Sequence, residues 1–277
     1  MLRPRARTVA RMLHHADMVW VSTPRLAEVL RETRPMARPA IRVVPNGLDE
    51  RLWGAPPAPS RPRPCQVRLL FMGSATHGRD WAVVAPALAR IVAVFGASVM
   101  VDMIGVVGPV TLPHWVNRMS PSNSGMGSYP GFVNWITRQP PWDIGIAPLA
   151  DTAFNQGKSA IKALDYAALG LAVLASDVPA YRGSLADGAG AHGAGAHGVG
   201  GRLVANTEAA WFRAVSDLIL DAGARQTLAN GGKSALATHH TLAAQAEWRR
   251  AAWLDLMPTA PAATGSPRRR AARLAAD

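Results

Sequence analysis

The chain has 277 residues, 49% of them apolar, and a formal charge of +12, the composition of an ordinary globular protein that can form one large or two unequal domains. Its single cysteine, Cys65, cannot close an internal disulfide, and no run of eighteen apolar residues occurs, so neither an oxidising compartment nor a membrane span is indicated and a cytoplasmic location is expected. The charge sits at the ends: residues 1–42 hold nine Arg against Asp17, Glu28 and Glu32, and residues 266–277 hold four Arg against Asp277, leaving only about +3 between them. That distribution argues against a nucleic-acid reader and describes solvated arms, with an anionic membrane surface, met peripherally at its inner face, as a partner they suit.

In chain order, Arg3, Arg5, Arg7 and Arg11 have no apolar segment behind them, which argues against a secretory leader. Asp17–Ser22 predicts a strand, Pro24–Thr33 a helix opened by Ser-Thr-Pro, and Ile41–Val44 a second strand ending in Pro45-Asn46-Gly47. The Pro-rich segment 55–64 marks the best domain boundary, dividing a small unit, 1–54, from a main domain, 65–257. Within that domain short apolar runs alternate with amphipathic stretches: Val67–Met72 then Asp80–Phe95; Ser98–Ile104; Phe132–Arg138; Asp143–Pro148 then Lys158–Leu169; Ala172–Ser176; Arg202–Val204 then Thr207–Asp221. This is the pattern of βαβ units around a doubly wound parallel sheet, so the fold class is α/β. The nearly uniform apolar runs at Val67–Met72 and Asp143–Pro148 suit central strands covered on both faces. Residues 188–201 read as a duplicated Gly/Ala/His loop; His192 and His197 lack a converging partner beyond Asp187, so loop expansion is preferred to a metal site. A helix over Leu242–Leu256 closes the fold, and 258–277 reads as a disordered basic tail.

The stretch with the most chemistry is Phe154–Asp177. Lys158, Lys162 and Asp165 lie at i, i+4 and i+7 of the predicted helix and form a polar working edge, while Ile161, Leu164 and Ala168 point to the core. Lys158 and Ser159 fall in the expected first turn, where free N–H groups and the helix dipole favour a phosphate. The chain has three Lys against twenty-seven Arg, and two of the three are Lys158 and Lys162, which suggests that a compact ammonium is wanted there. The alternative, that Lys162 and Asp165 are a plain surface pair, stays open on spacing alone. Gly157-Lys158-Ser159 and Gly232-Lys233-Ser234 are not phosphate-binding loops of the triphosphatase kind, because Thr152 and Thr227 stand where the leading glycine is required.

The run from Trp142 to Asp177, WDIGIAPLADTAFNQGKSAIKALDYAALGLAVLASD, resembles the donor-site segment of retaining glycosyltransferases of the GT-B fold, family 4, especially branches that build bacterial cell-surface polysaccharide. ADMVWVST at Ala16–Thr23 and VVPNGLD at Val43–Asp49 resemble the last strand of such an enzyme's acceptor domain and the crossing into its donor domain. LFMGSATHGRD at Leu70–Asp80 resembles the donor domain's first strand and glycine loop. The resemblance covers most of residues 16–235. It implies a Rossmann-like donor domain at 65–257 with 1–54 as a remnant of the acceptor domain. It implies a nucleoside-diphosphate sugar as donor, a saccharide or lipid-linked acceptor, and no metal or other cofactor, because basic side chains take the place of a divalent ion. The donor residues it implies are Gly73, Ser74, His77, Arg79, Asn155, Lys158, Ser159, Lys162 and Asp165. Asp165 stands at the second position of the family's paired glutamates and is expected to bind ribose hydroxyls; Gly157 stands at the first. Of the family's basic pair, Ser74 and Arg79 occupy the places, and Arg79 with Lys158 is expected to stabilise the leaving phosphate. A non-catalytic nucleotide-sugar-binding module is the alternative.

Overall fold

The computed structural model describes residues 2–33, 40–54, 66–74, 77–105, 112–121, 127–182 and 200–254. The linker 55–64, nearly all of the duplicated Gly/Ala/His loop and the tail 258–277 lie outside the described residues.

The N-terminal unit opens with helix α1 (Leu2–His15), followed by strand β1 (Met18–Val21), helix α2 (Pro24–Thr33) and strand β2 (Ala40–Val43). The basic N-terminal arm, expected to be solvated and irregular, is therefore helical. β1 and β2 pair in parallel as a separate two-stranded sheet. A short helix α3 (Glu50–Trp53) follows, with Asp49 accepting a hydrogen bond from the Arg51 N–H at its start.

The main domain runs β3 (Val67–Gly73), α4 (Gly78–Phe95), β4 (Val99–Gly105), β5 (Val116–Met119), α5 (Tyr129–Ile136), β6 (Ile144–Ala147), α6 (Ala153–Gln156), α7 (Ile161–Ala168), β7 (Ala172–Ser176), α8 (Pro179–Arg182), β8 (Arg202–Val204), α9 (Glu208–Leu220), α10 (Ala222–Ala235) and α11 (Ala246–Leu254), with a π-helical turn at 236–240. The run around Phe132 is a helix because Ser128 caps it, accepting from the Gly131 N–H, and Pro130 sits in its first turn. α9 and α10 are opened in the same way by Thr207 and Asp221. Gly232-Lys233-Ser234 lies inside α10, not in a loop.

The six main strands are all parallel in the order β5-β4-β3-β6-β7-β8. Numbered within the domain this is 3-2-1-4-5-6, the Rossmann order, and it confirms the α/β doubly wound reading. β3 alternates Leu69 and Phe71 to one face with Leu70 and Met72 to the other, and all four are buried. The first face packs under α4 and α9 through Val84, Leu88, Ile91, Trp211 and Val215; the second packs under α5 and α7 through Val133, Ile136, Leu164 and Ala167. Apolar demand on both faces explains why the sequence shows no alternation here. α4 is the one helix among the described residues long and apolar enough to cross a bilayer, yet its inner face is the core just described.

In this order the crevice opens between β3 and β6, where the connections leave in opposite directions. Their ladder pairs Leu69 with Ile144, Leu70 with Gly145 and Phe71 with Ile146, and goes no further. At the next step the Tyr166 hydroxyl takes the place of a rung: it accepts from the Met72 N–H at 2.8 Å and donates to the Ile146 carbonyl at 3.0 Å. The ring reaches that position by lying on Gly145, where an added Cβ would stand 2.5 Å from the ring carbon Cγ.

Gly145→Ala should therefore displace the ring and break the bridge, lowering the unfolding free energy by about 1–3 kcal/mol. Urea denaturation checks this, and an unchanged midpoint would show that the ring has room to move.

Candidate functional site

The carboxyl ends of β3 and β6 bring together the loop that carries Gly73, Ser74 and His77, the first turn of α4 with Arg79 and Asp80, the 148–151 turn, α6, and the start of α7. The centre of this assembly is Asp80, a residue the sequence reading passed over as the plain start of a helix. Its carboxylate is buried, 2% exposed. It accepts from the Ala150 N–H at 2.9 Å and the Asn155 amide at 3.2 Å, contacts His77 Nδ1 at 2.6 Å, and faces Lys158 Nζ at 3.8 Å. Burial pushes its pKa up, but the His77 and Ala150 hydrogen bonds and the Lys158 charge outweigh burial and hold it below the usual carboxylate value.

Asp80 explains the placing of several residues singled out from sequence. Asn155 is buried and spends its amide on Asp80 and, at 2.8 Å, on the Ala150 carbonyl, so it knits the loops together. His77 is held through Nδ1 by Asp80. Lys158 reaches toward the same carboxylate with its ammonium 5.4 Å from the Phe154 ring centre. Arg79 is exposed on the first turn of α4 and has no ion pair among the described residues.

The predicted helix Lys158–Leu169 is shorter than expected. It starts at Ile161, with Ala160 at its N-cap and no side-chain capping bond. Lys158 and Ser159 therefore stand in the loop just ahead of it, not in its first turn; Lys158 donates its N–H to the Asn155 carbonyl, while Gly157 and Ser159 on either side are held from outside the domain. The Thr23 hydroxyl donates to the Gly157 carbonyl at 3.0 Å, and the Asn46 amide donates to the Ser159 hydroxyl at 2.7 Å. Both donors belong to the N-terminal unit, whose βα ends thus form one wall of the site.

The orientation of α7 also differs from the sequence expectation. Ile161 is partly exposed, 36%, rather than buried in the core. Tyr166 claims the inner face for its bridge, and Lys162, four residues earlier, shares that face. Lys162 Nζ is consequently buried 5.4 Å from the centre of the Phe71 ring, without a hydrogen-bond partner among the described residues. Asp165 Oδ1 is buried in the same condition. The polar working edge is thus an interior pair, which also sets aside the plain surface-pair reading. Burial lowers the Lys162 pKa to about 8 against the opposing pull of Asp80. Burial raises that of Asp165 to about 7, only partly offset by Lys162. Near it, Trp53 Nε1 donates to the Tyr129 hydroxyl at 3.0 Å, and burial and the Asp165 charge both push that hydroxyl's pKa up.

Two carboxylates and two lysines therefore meet around the carboxyl ends of β3 and β6 in opposite electrostatic states. Asp80 is saturated with donors and stays ionised; Asp165, with Oδ1 unserved, is a carboxyl ready to accept from hydroxyl donors. Lys162 is a buried cation whose ammonium has no hydrogen-bond partner among the described residues and feels Asp80 and Asp165 only at a distance. A ligand that brings both hydroxyl groups and negative charge answers both deficits. Among the described residues no group of three or more His, Cys, Asp or Glu could hold a metal ion.

No protein-family model and no curated protein matches this sequence. Solved structures do share its fold. A sucrose-phosphate synthase from Thermosynechococcus elongatus superposes with a TM-score of 0.59 at 14% identity, over 92% of this chain and 62% of its own. A glycosyltransferase from Rickettsia africae gives 0.63 at 12% identity, over 88% and 64%. Anabaena HepE in complex with UDP and glucose gives 0.61 at 11% identity, over 93% and 68%. The chain thus spans 62 to 64% of the first two structures, and its fold is one that glycosyltransferases use.

Asp165 supplies a pH test. Folded, it keeps its proton up to about pH 7; unfolded, it releases it near the ordinary aspartate value of 3.8. The folded state holds the extra proton across that window, so stability from this group falls as pH rises through it. The mirrored case, Lys162, releases its proton at about pH 8 when folded rather than 10.5, so its contribution rises with pH between those values. Asp165→Asn should accordingly gain stability over wild type progressively from about pH 4 to pH 7, measured by urea midpoints. A pH-independent difference would mean that Asp165 titrates normally.

Proposed function

We propose that this chain supplies the donor side of a glycosyltransferase that uses a nucleoside-diphosphate sugar. The observation that carries the reading is the pair of unserved groups on α7, Lys162 Nζ in its first turn and Asp165 Oδ1 in the next, beside the crevice of a 3-2-1-4-5-6 sheet. Ribose hydroxyls suit Asp165. The diphosphate suits Lys158, the uncapped start of α7 and, from the α4 side, Arg79. As the bond between the sugar and the diphosphate breaks, negative charge builds on the leaving phosphate oxygen; the acceptor oxygen bonds to the sugar and passes its proton to that phosphate oxygen. Lys158 and Arg79 are the cations that stabilise that charge, with His77 and Ser74 beside them and the Gly73 backbone at the strand end. These basic groups do what a divalent ion would do, so the reaction is proposed to need no metal. The finer reading is a family 4, retaining enzyme that works on a saccharide or lipid-linked acceptor in cell-surface polysaccharide synthesis on the cytoplasmic side.

A second reading is a nucleotide-sugar-binding module that completes an acceptor domain supplied elsewhere. It is favoured by the two-stranded sheet β1–β2, whose outer edges are unpaired among the described residues, because parallel sheets are ordinarily larger and covered on both faces.

Isothermal titration with UDP, GDP and their sugars tests both readings at once. We expect one of the diphosphates to bind, and Lys158→Ala to weaken it about tenfold, or about 1.4 kcal/mol. No binding of any diphosphate overturns the assignment. Sugar transfer by the purified chain would decide for the enzyme over the module.

A further inference from the structure

The site does not use α1. This helix has Arg3, Arg5, Arg7 and Arg11 in its sequence, and no acidic residue precedes Asp17. Arg7, Arg11 and His14 follow one another at i, i+4 and i+7 and share a face, and all three are exposed. Val9, Met12 and Leu13, at i, i+3 and i+4, share the other side. Val9 is 51% and Met12 67% exposed, so the apolar face is not packed on the rest of the molecule. Among the described residues neither Arg7 nor Arg11 has an ion pair. α1 runs directly into β1, and beside that strand α11 also leaves apolar groups outward. Trp253 packs against Trp20 of β1 with ring centres 4.9 Å apart and planes tilted by 57° while remaining 61% exposed, and Leu254 next to it is 50% exposed. On the same helix Arg249 is held by the Pro45 carbonyl and Gln245, and Arg250 pairs with Glu247 at 3.5 Å, so the free positive charge of this face comes from α1.

We propose that α1 is a docking face for an anionic lipid surface, with the Trp253 end of α11, packed on β1, as a second exposed apolar group that reaches it. A helix with a narrow apolar stripe and an opposite face of arginines lies in the plane of the headgroups, its stripe among the upper acyl carbons and its guanidinium groups on the phosphates. Tryptophan suits the same depth, because its ring is apolar and its N–H is not. Fourteen helical residues reach about 21 Å, short of the roughly 30 Å hydrocarbon layer, so α1 lies on the surface and does not span it. The uniform positive sign of α1, which contains no acidic residue, favours lipid over protein as the occupant: a protein groove would have to supply an unbroken acidic rim, whereas an anionic bilayer presents one everywhere.

Co-sedimentation of the full chain with vesicles of phosphatidylcholine, alone or mixed with phosphatidylglycerol, tests the proposal. Binding is expected to the mixed vesicles and to fall with added salt. Arg7→Gln and Arg11→Gln should each weaken it about fivefold, and the double variant Val9→Asp/Met12→Asp should abolish it while circular dichroism and diphosphate binding stay unchanged. Equal binding to neutral vesicles, or no binding to either, overturns the proposal. So does concentration-dependent self-association in the absence of lipid that the same double variant removes, because the face would then be covered by protein.

Discussion

A single hydroxyl group decides how this molecule is put together around its crevice. Tyr166 replaces a missing rung between β3 and β6, accepting from Met72 and donating to Ile146. Leaving either backbone group buried and unserved would cost about 1–3 kcal/mol, so the hydroxyl is what lets the two strands separate at this level. Gly145 exists to admit the ring. Once the ring is seated, the rotation of α7 about its own axis is set, and with it the burial of Lys162 and Asp165. The polar contents of the site are therefore a consequence of how the sheet is closed at its centre.

Asp80 and Asp165 show how neighbouring carboxyl groups acquire different characters from donors alone. Both are taken out of water, which disfavours charge in each. Asp80 recovers the loss from His77, Ala150, Asn155 and Lys158. Asp165 has only a partial offset from Lys162. The first therefore holds three loops in register as a fixed anion, and the second remains receptive. A binding site needs both kinds of group, one to hold its walls and one left open for what enters.

Much of the architecture was legible in the sequence because it depends on period and composition. α2, β7 and β8 have the bounds that their apolar patterns indicate, and β3, apolar but for Arg68, lies at the centre of the sheet. β5 and α10 were not legible: Val116–Met119 is a four-residue edge strand with only its first residue buried, and α10 carries three glycines that hide its helical period. Within the site, Lys158, Lys162 and Asp165 were found by their spacing on one helix face, the lysines also by their rarity, and the resemblance supplied the role expected of Asp165. Asp80 was missed because its one local partner, His77, reads as an ordinary loop residue, and its other partners at 150, 155 and 158 come from the other side of the sheet's switch point. The inward turn of Lys162 was missed because a helical wheel ranks lysine as outward, while the claim of Tyr166 on the interior comes from a backbone gap that no wheel contains.

The two hydrogen bonds from Thr23 to Gly157 and from Asn46 to Ser159 make the lysine-bearing loop common property of the two units. A ligand that engages the Ser159 hydroxyl competes with Asn46 or draws it along, and so does work on the position of β1 and β2. Thermodynamic reciprocity then requires the converse. Whatever settles against the N-terminal strands changes the affinity of the loop by the same factor, so occupancy at one end of the molecule is legible at the other.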